Sequence, residues 1–122
     1  MSLQRIIGMD GEIAALDYLR RVGYRILVHN YRSPPGEIDI VAEDGNSLVF
    51  IEVKTRSTSR FGTPQEAVDR KKQSKIARAA LYYLSEHQIK RKDCRFDVVV
   101  VSVGSEPPRK IELMKNAFDF PV

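Results

Sequence analysis

The chain has 122 residues and a mass of 13.9 kDa, with 43% hydrophobic and 30% charged side chains. That is the length of one domain with its own core, and the composition excludes an intrinsically disordered chain. A single cysteine, Cys94, excludes an internal disulfide framework and suits a reducing, cytoplasmic setting; no secretory leader is seen, and no apolar run nears the ~18 residues of a membrane span.

In chain order, the spacing predicts a first helix over residues 10–22, with Ala15, Leu16, Leu19 and Val22 on one apolar stripe, Asp10 as cap and Gly23 as stop. Residues 24–30 read as a strand, and Ser33-Pro34-Pro35-Gly36 as a turn. Residues 37–43 and 47–54 are strands joined by the hairpin signal Asp44-Gly45-Asn46. A second helix is expected over residues 63–85, opened by Pro64 and a Thr63/Glu66 capping box. Val68, Ile76, Ala80 and Leu84 form its apolar face, with Arg70, Lys71, Lys75 and Arg78 mostly off it. Residues 96–103 are nearly all apolar, which suits a strand buried on both sides; 110–114 would be a last edge strand. The order α-β-β-β-α-β, with one further β, predicts a single α/β domain over residues 1–122. Its mixed central sheet is flanked by helices, with a core over about 8–114 and a tail over 115–122.

The formal net charge of +4 hides an uneven layout. Residues 1–53 carry 5 basic and 8 acidic side chains, residues 54–95 carry 12 and 4, and residues 96–122 carry 3 and 4. A net −3 is thus followed by a +8 block, an electrostatic footprint suited to a polyanion.

The acidic part lies on the predicted hairpin. Alternation places Leu48, Phe50, Glu52 and Lys54 on one face of their strand, and Glu37, Asp39 and Val41 on one face of the partner. Ile38, Ile40 and Ala42 fall on the other. Asp39 and Glu52 would then converge, and two carboxylates stay together cheaply only around a cation. Oxygen donors suit Mg²⁺ or Mn²⁺. Lys54 projects beside that position, and Glu12 extends the stripe of the first helix toward the sheet. Such a group can polarise a phosphodiester, with the basic block holding the backbone.

Asp39 followed by Glu52-Val53-Lys54 resembles the PD-(D/E)-X-K signature of restriction-endonuclease-like nucleases. Four blocks in this order narrow the likeness: Gly11-Glu12, Gly36-Glu37-Ile38-Asp39-Ile40-Val41-Ala42, Phe50-Ile51-Glu52-Val53-Lys54-Thr55-Arg56, and Phe61-Gly62-Thr63-Pro64 with Glu66-Ala67-Val68. Together they are similar to the bacterial YraN-type proteins, an uncharacterised family related to archaeal Holliday junction resolvases. Ile38 stands where the eponymous motif has Pro, a position that varies in the superfamily. The resemblance implies Asp39, Glu52 and Glu12 as metal ligands and acidic site residues, with Lys54 as the water-positioning base. It also implies a Mg²⁺-dependent endonuclease acting on DNA, with branched DNA among its substrates, and a homodimer. Arg56, Arg60, Arg70, Lys71 and Lys75 are the nucleic-acid-binding candidates.

Plainer roles stand beside these. Glu52 and Lys54 also suit an exposed strand pair, Asp39 a turn, and Glu12 the first turn of a helix. Glu37 suits loop backbone and Asp97 a strand end. His29 and His87 lack ligand spacing, and Cys94 lacks a motif. Tyr31 and Phe61 are stacking candidates, Tyr82 and Tyr83 packing residues, and Phe118 and Phe120 fit either intramolecular packing or an interface. Two other functions remain open: a nucleic-acid-binding module without catalysis on the same fold, and an interaction protein whose basic face meets an acidic partner.

Overall fold

A computed structural model describes residues 3–56, 65–102 and 110–120. Helix α1 spans Leu3–Arg21, and Ala15, Leu16 and Leu19 form its buried stripe. The chain leaves it through Gly23, whose φ of +101° is a left-handed conformation open to glycine. Asp10 is not the cap expected, since the helix begins seven residues earlier at Leu3. Val22 lies past the last turn and is 47% exposed, so the stripe ends at Leu19.

Three antiparallel strands follow: β1 (Arg25–Ser33), β2 (Gly36–Asp44) and β3 (Ser47–Arg56). Asp44 pairs with Ser47 across the tight turn, where Gly45 has φ +59°. After a short 3₁₀ turn at Gln65–Ala67, helix α2 (Arg70–Glu86) carries the chain to β4 (Cys94–Ser102), which pairs with β3 in parallel. β5 (Lys110–Phe118) closes the sheet antiparallel to β4, giving the order β1-β2-β3-β4-β5. The mixed sheet between two helices is the α/β architecture expected.

The helices occupy opposite faces. Ala15, Leu16 and Leu19 of α1 pack on Ile40, Ala42, Val49, Ile51, Val99 and Val101. Ile76, Ala77, Ala80 and Tyr83 of α2 pack on Val41, Phe50, Phe96, Val98 and Val100. Strand β4 feeds both layers, which explains its unbroken apolar run. Helix α2 opens at Asp69, not Thr63: Asp69 has extended φ/ψ and its Oδ1 accepts from the Lys72 amide at 2.8 Å. Thr63 and Pro64, with Arg60 and Phe61, lie outside the described residues. The last strand continues to Phe118 because its end is apolar again; Phe118 and Phe120 pack on Phe96 with ring centroids 4.8 and 4.6 Å away. Both aromatics are therefore intramolecular contacts, and much of the expected tail is strand.

At one sheet end, the fully buried Asp97 accepts hydrogen bonds from Tyr24 Oη (2.6 Å), Arg95 Nε (2.8 Å) and the Asn116 amide (3.0 Å). Arg95 also donates to Asp44 at 2.8 Å, so four segments share one charge network. Burial, with the bond to Asp97, pushes the Tyr24 hydroxyl well above its ordinary range. Asp97→Ala would orphan these donors and is expected to cost about 3–5 kcal/mol in chemical denaturation. Helix α1 crosses β3 where Gly11 meets Thr55; a Cβ there would run into the Thr55 side chain. Gly11→Ala should therefore destabilise by about 1–3 kcal/mol, an effect that Thr55→Ala relieves in a double-mutant cycle.

Candidate metal and nucleic-acid site

Besides the register shifts at Ile26/Val28 and Phe96/Val98, strict alternation fails between Ile38 and Ile40. Facing pairs His29↔Ile40 and Tyr31↔Ile38 should share a face, yet Ile40 packs under α1 whereas Tyr31 and Ile38 pack under α2. Asn30 and Asp39 lie between these pairs, and Asn30 has φ +58°. Both strands change faces there. Ile38 therefore does not share a face with Ile40 and Ala42 as expected.

The switch also ends the β2–β3 ladder, whose last pair is Ile40↔Ile51. In a continued register Val53 would face Ile38. Its amide instead donates to Asp39 Oδ2 at 2.8 Å. Asp39 thus points along the sheet into the gap and meets Glu52.

Glu52 projects from β3 to the α2 side. Its side chain is only 11% exposed, and its buried Oε2 has no hydrogen-bond partner among the described residues. The nearest ionic partner is Lys72 Nζ on α2, at 3.6 Å. Burial, then the hydrogen bond and charge of Asp39, push the Glu52 carboxyl far above the usual carboxylate range, and Lys72 opposes the rise. Two carboxylates cannot donate to each other, so their contact becomes a hydrogen bond only when they share a proton. Glu52, Lys54 and Lys72 line a cavity of about 260 Å³ with Val53, Ala67, Val68 and Asp69.

These residues fit a hard divalent cation. The pair supplies oxygen donors, one oxygen is buried without a donor, and the cavity is open beside it. Among the described residues no three His, Cys, Asp or Glu side chains gather as a metal cluster. Mg²⁺ does not require one, because it retains waters and binds through one or two carboxylates.

Of the other described sequence candidates, Lys54 lines the same cavity, and the structure does not bring Glu12, Glu37 or Arg56 to this pair. Glu12 is on α1, where its Oε2 meets His29 Nε2 at 3.2 Å. Lys54 is exposed at the cavity rim. Arg56 pairs with Glu112 at 3.9 Å. Arg70, Lys71 and Lys75 are exposed on the first turns of α2, held close by Gly36, where a Cβ would sit 3.3 Å from the Lys75 carbonyl. Arg60 lies outside the described residues. Glu37 is exposed and pairs with Arg32 at 3.7 Å. Tyr31 is buried, bonds Glu86 (3.1 Å) and meets Tyr83 edge-on, so it belongs to the core rather than a stacking platform. Burial raises the Cys94 thiol's pKa, away from the reactive thiolate. Lys72 is the site neighbour that the motif does not include. Its signal was its spacing: it lies four residues before Ile76, on the stripe that packs α2 against the sheet.

Element order and sheet thus define an α/β domain consistent with a restriction-endonuclease-like α-β-β-β-α-β core. Within that class, the chain belongs to the family described as Uncharacterised protein family UPF0102, whose model matches residues 11–101. This is the YraN-type family that the sequence blocks resemble. A UPF0102 protein of Moorella thermoacetica is 51% identical over 112 residues, covering 91% of this chain and 93% of its own. One from Symbiobacterium thermophilum is 47% identical over 95% of this chain and 98% of its own, and one from Geobacter sulfurreducens 45% identical over 94% and 90%. No described helix is long and apolar enough to cross a membrane.

The raised Glu52 pKa fixes the sign of a pH effect in metal-free buffer. Between the ordinary Glu value of 4.5 and about 9, the folded state holds a proton that the unfolded chain releases. Its stabilising contribution is full below that window and lost as pH rises through it. Thermal unfolding in EDTA should show a steeper fall in Tm from about pH 5 to 9 for the wild type than for Glu52→Gln, which cannot ionise. Equal slopes would contradict the buried, proton-sharing pair.

Proposed function

We propose that the chain is a metal-dependent DNA endonuclease, a phosphodiesterase of the Holliday-junction-resolvase-like kind. The observation that carries this reading is the Asp39–Glu52 contact, with a buried Glu52 oxygen that lacks a donor and a cavity that Glu52 lines together with Lys54 and Lys72. When bound, Mg²⁺ or Mn²⁺ supplies Lewis acidity toward a phosphate oxygen and a water of lowered pKa.

The chain's own residues do the rest. Asp39 and Glu52 hold the ion, and the Val53 amide fixes the Asp39 carboxylate. Lys54 orients the attacking water and offsets charge developing on the phosphate. Arg70, Lys71 and Lys75 hold the DNA backbone from the exposed side of α2, with Arg56 and Arg60 as further phosphate contacts. Glu12, now bonded to His29, is a further acidic residue of the site. A two-fold homodimer suits symmetric cutting of two strands.

The test is cleavage of branched, nicked and single-stranded DNA in Mg²⁺ or Mn²⁺. Asp39→Ala and Lys54→Ala are each expected to lower the rate by about 10²-fold or more. Activity unchanged by both would overturn the proposal. The Lys72 ammonium group, 3.6 Å from Glu52 Oε2, favours a second reading, since it sets a cation beside the carboxylate pair without a metal: a nucleic-acid-binding module with no turnover. That reading expects salt-sensitive DNA binding that survives Glu52→Gln, and no product from any substrate.

A further inference from the structure

We infer that Lys72 is the resident counter-ion of this site: it occupies Glu52 until a divalent ion arrives, and is then displaced onto a substrate phosphate. The inference rests on the metal-dependent function proposed for the site and gives it a residue outside the Asp-Glu-Lys signature.

The geometry is specific to Lys72. Its backbone is fixed in the first turn of α2, where its amide caps onto Asp69 Oδ1 at 2.8 Å. Lys72 is exposed, like Arg70, Lys71 and Lys75, but its side chain reaches back to the sheet at Glu52. Its Nζ stops 3.6 Å from the buried Glu52 Oε2, beyond hydrogen-bond range, so the ammonium group is weakly held against the Asp39–Glu52 pair. The Lys72 side chain is half exposed, which leaves it free to swing within a cavity it lines together with Lys54. A divalent ion on Asp39 and Glu52 repels this ammonium group. The nearest new partner in the same cavity is the phosphate that the ion itself attracts. Charge at the site is thus exchanged rather than left bare, first ammonium and then metal against the carboxylates.

Calorimetric titration of Mn²⁺ into the full chain tests the first half. Lys72→Met should bind Mn²⁺ more tightly than wild type by about two- to fivefold, the range a part-exposed ion pair is worth. Lys90→Met, which loses the same charge on a remote exposed residue, should bind as wild type does. Lys72→Gln gives a second variant, and both are checked for native circular dichroism. Anisotropy of a labelled four-way junction tests the second half. In EDTA, wild type and Lys72→Met should share one salt dependence; in Ca²⁺ the wild-type log–log slope should be steeper by about one phosphate contact.

If Glu52→Gln leaves the Mn²⁺ isotherm intact, the metal reading falls and takes this inference with it. If Glu52→Gln abolishes binding while Lys72→Met matches Lys90→Met, the counter-ion role alone is wrong. Salt slopes that differ equally in EDTA and Ca²⁺, or not at all in Ca²⁺, would also overturn the exchange.

Discussion

Between Ile38 and Ile40, β2 parts from its neighbour, and the side chain of Asp39 accepts the hydrogen bond that the register would give to a backbone carbonyl. The bond from the Val53 amide, at 2.8 Å, has two effects. It satisfies a donor at the point where the ladder ends, which a buried strand end would otherwise leave unpaired. It also fixes a carboxylate in the plane of the sheet, where Glu52 comes up beside it. An asparagine could accept the same bond, but it would remove the charge that meets Glu52. The strand end and the site therefore have one cause. The left-handed Asn30 facing this position lets β1 turn over in step, so Tyr31 and Ile38 enter the α2 core together.

The placement of α2 then decides the state of Glu52. Gly36 lets the helix approach β2, and the Asp69 cap fixes its first turn. Glu52 is thereby covered, and a covered carboxylate beside another is unstable as an anion without a cation. At the other end of the sheet a different solution appears. Asp97 is more deeply buried than Glu52, yet it is saturated by Tyr24, Arg95 and the Asn116 amide. The contrast separates the two acids: Asp97 has a full complement of protein donors and serves the fold, whereas Glu52 lacks one and faces a cavity.

Much of this was legible in the sequence, for physical reasons. Periodicity gave both helices and all five strands, because one-sided burial of helices and two-sided burial of β4 leave distinct patterns. Alternation placed Asp39 and Glu52 near each other, but they meet through the break in β2 rather than along an unbroken face. What failed was strict alternation: nothing in residues 38–40 announces that a side chain will replace a carbonyl and turn the strand over. The α2 boundary failed because two capping signals compete in Thr63–Asp69, and local propensity does not choose between them. The aromatic ambiguity at Phe118 and Phe120 was tertiary in origin and required Phe96 to resolve it. Lys72 was readable by the spacing argument applied to Glu12, but its neighbours Lys71 and Lys75 made it look like one more solvated charge.

The layout of charge then takes on a more definite meaning. The acidic first part and the basic middle of the chain are adjacent in sequence and meet in space at several points: Arg95 pairs with Asp44 and Lys92 with Glu43, and Lys72 meets Glu52 at the candidate site. On the proposed reading, a cation on the carboxylates would release positive charge toward a polyanion, and a polyanion on the lysines would unmask the carboxylates. Under the proposed function the two ligands would favour each other, and by linkage the factor must be the same in either direction. Such coupling needs no large conformational change. It requires only that one flexible ammonium group have two partners of opposite origin within reach, which the first turn of α2 provides.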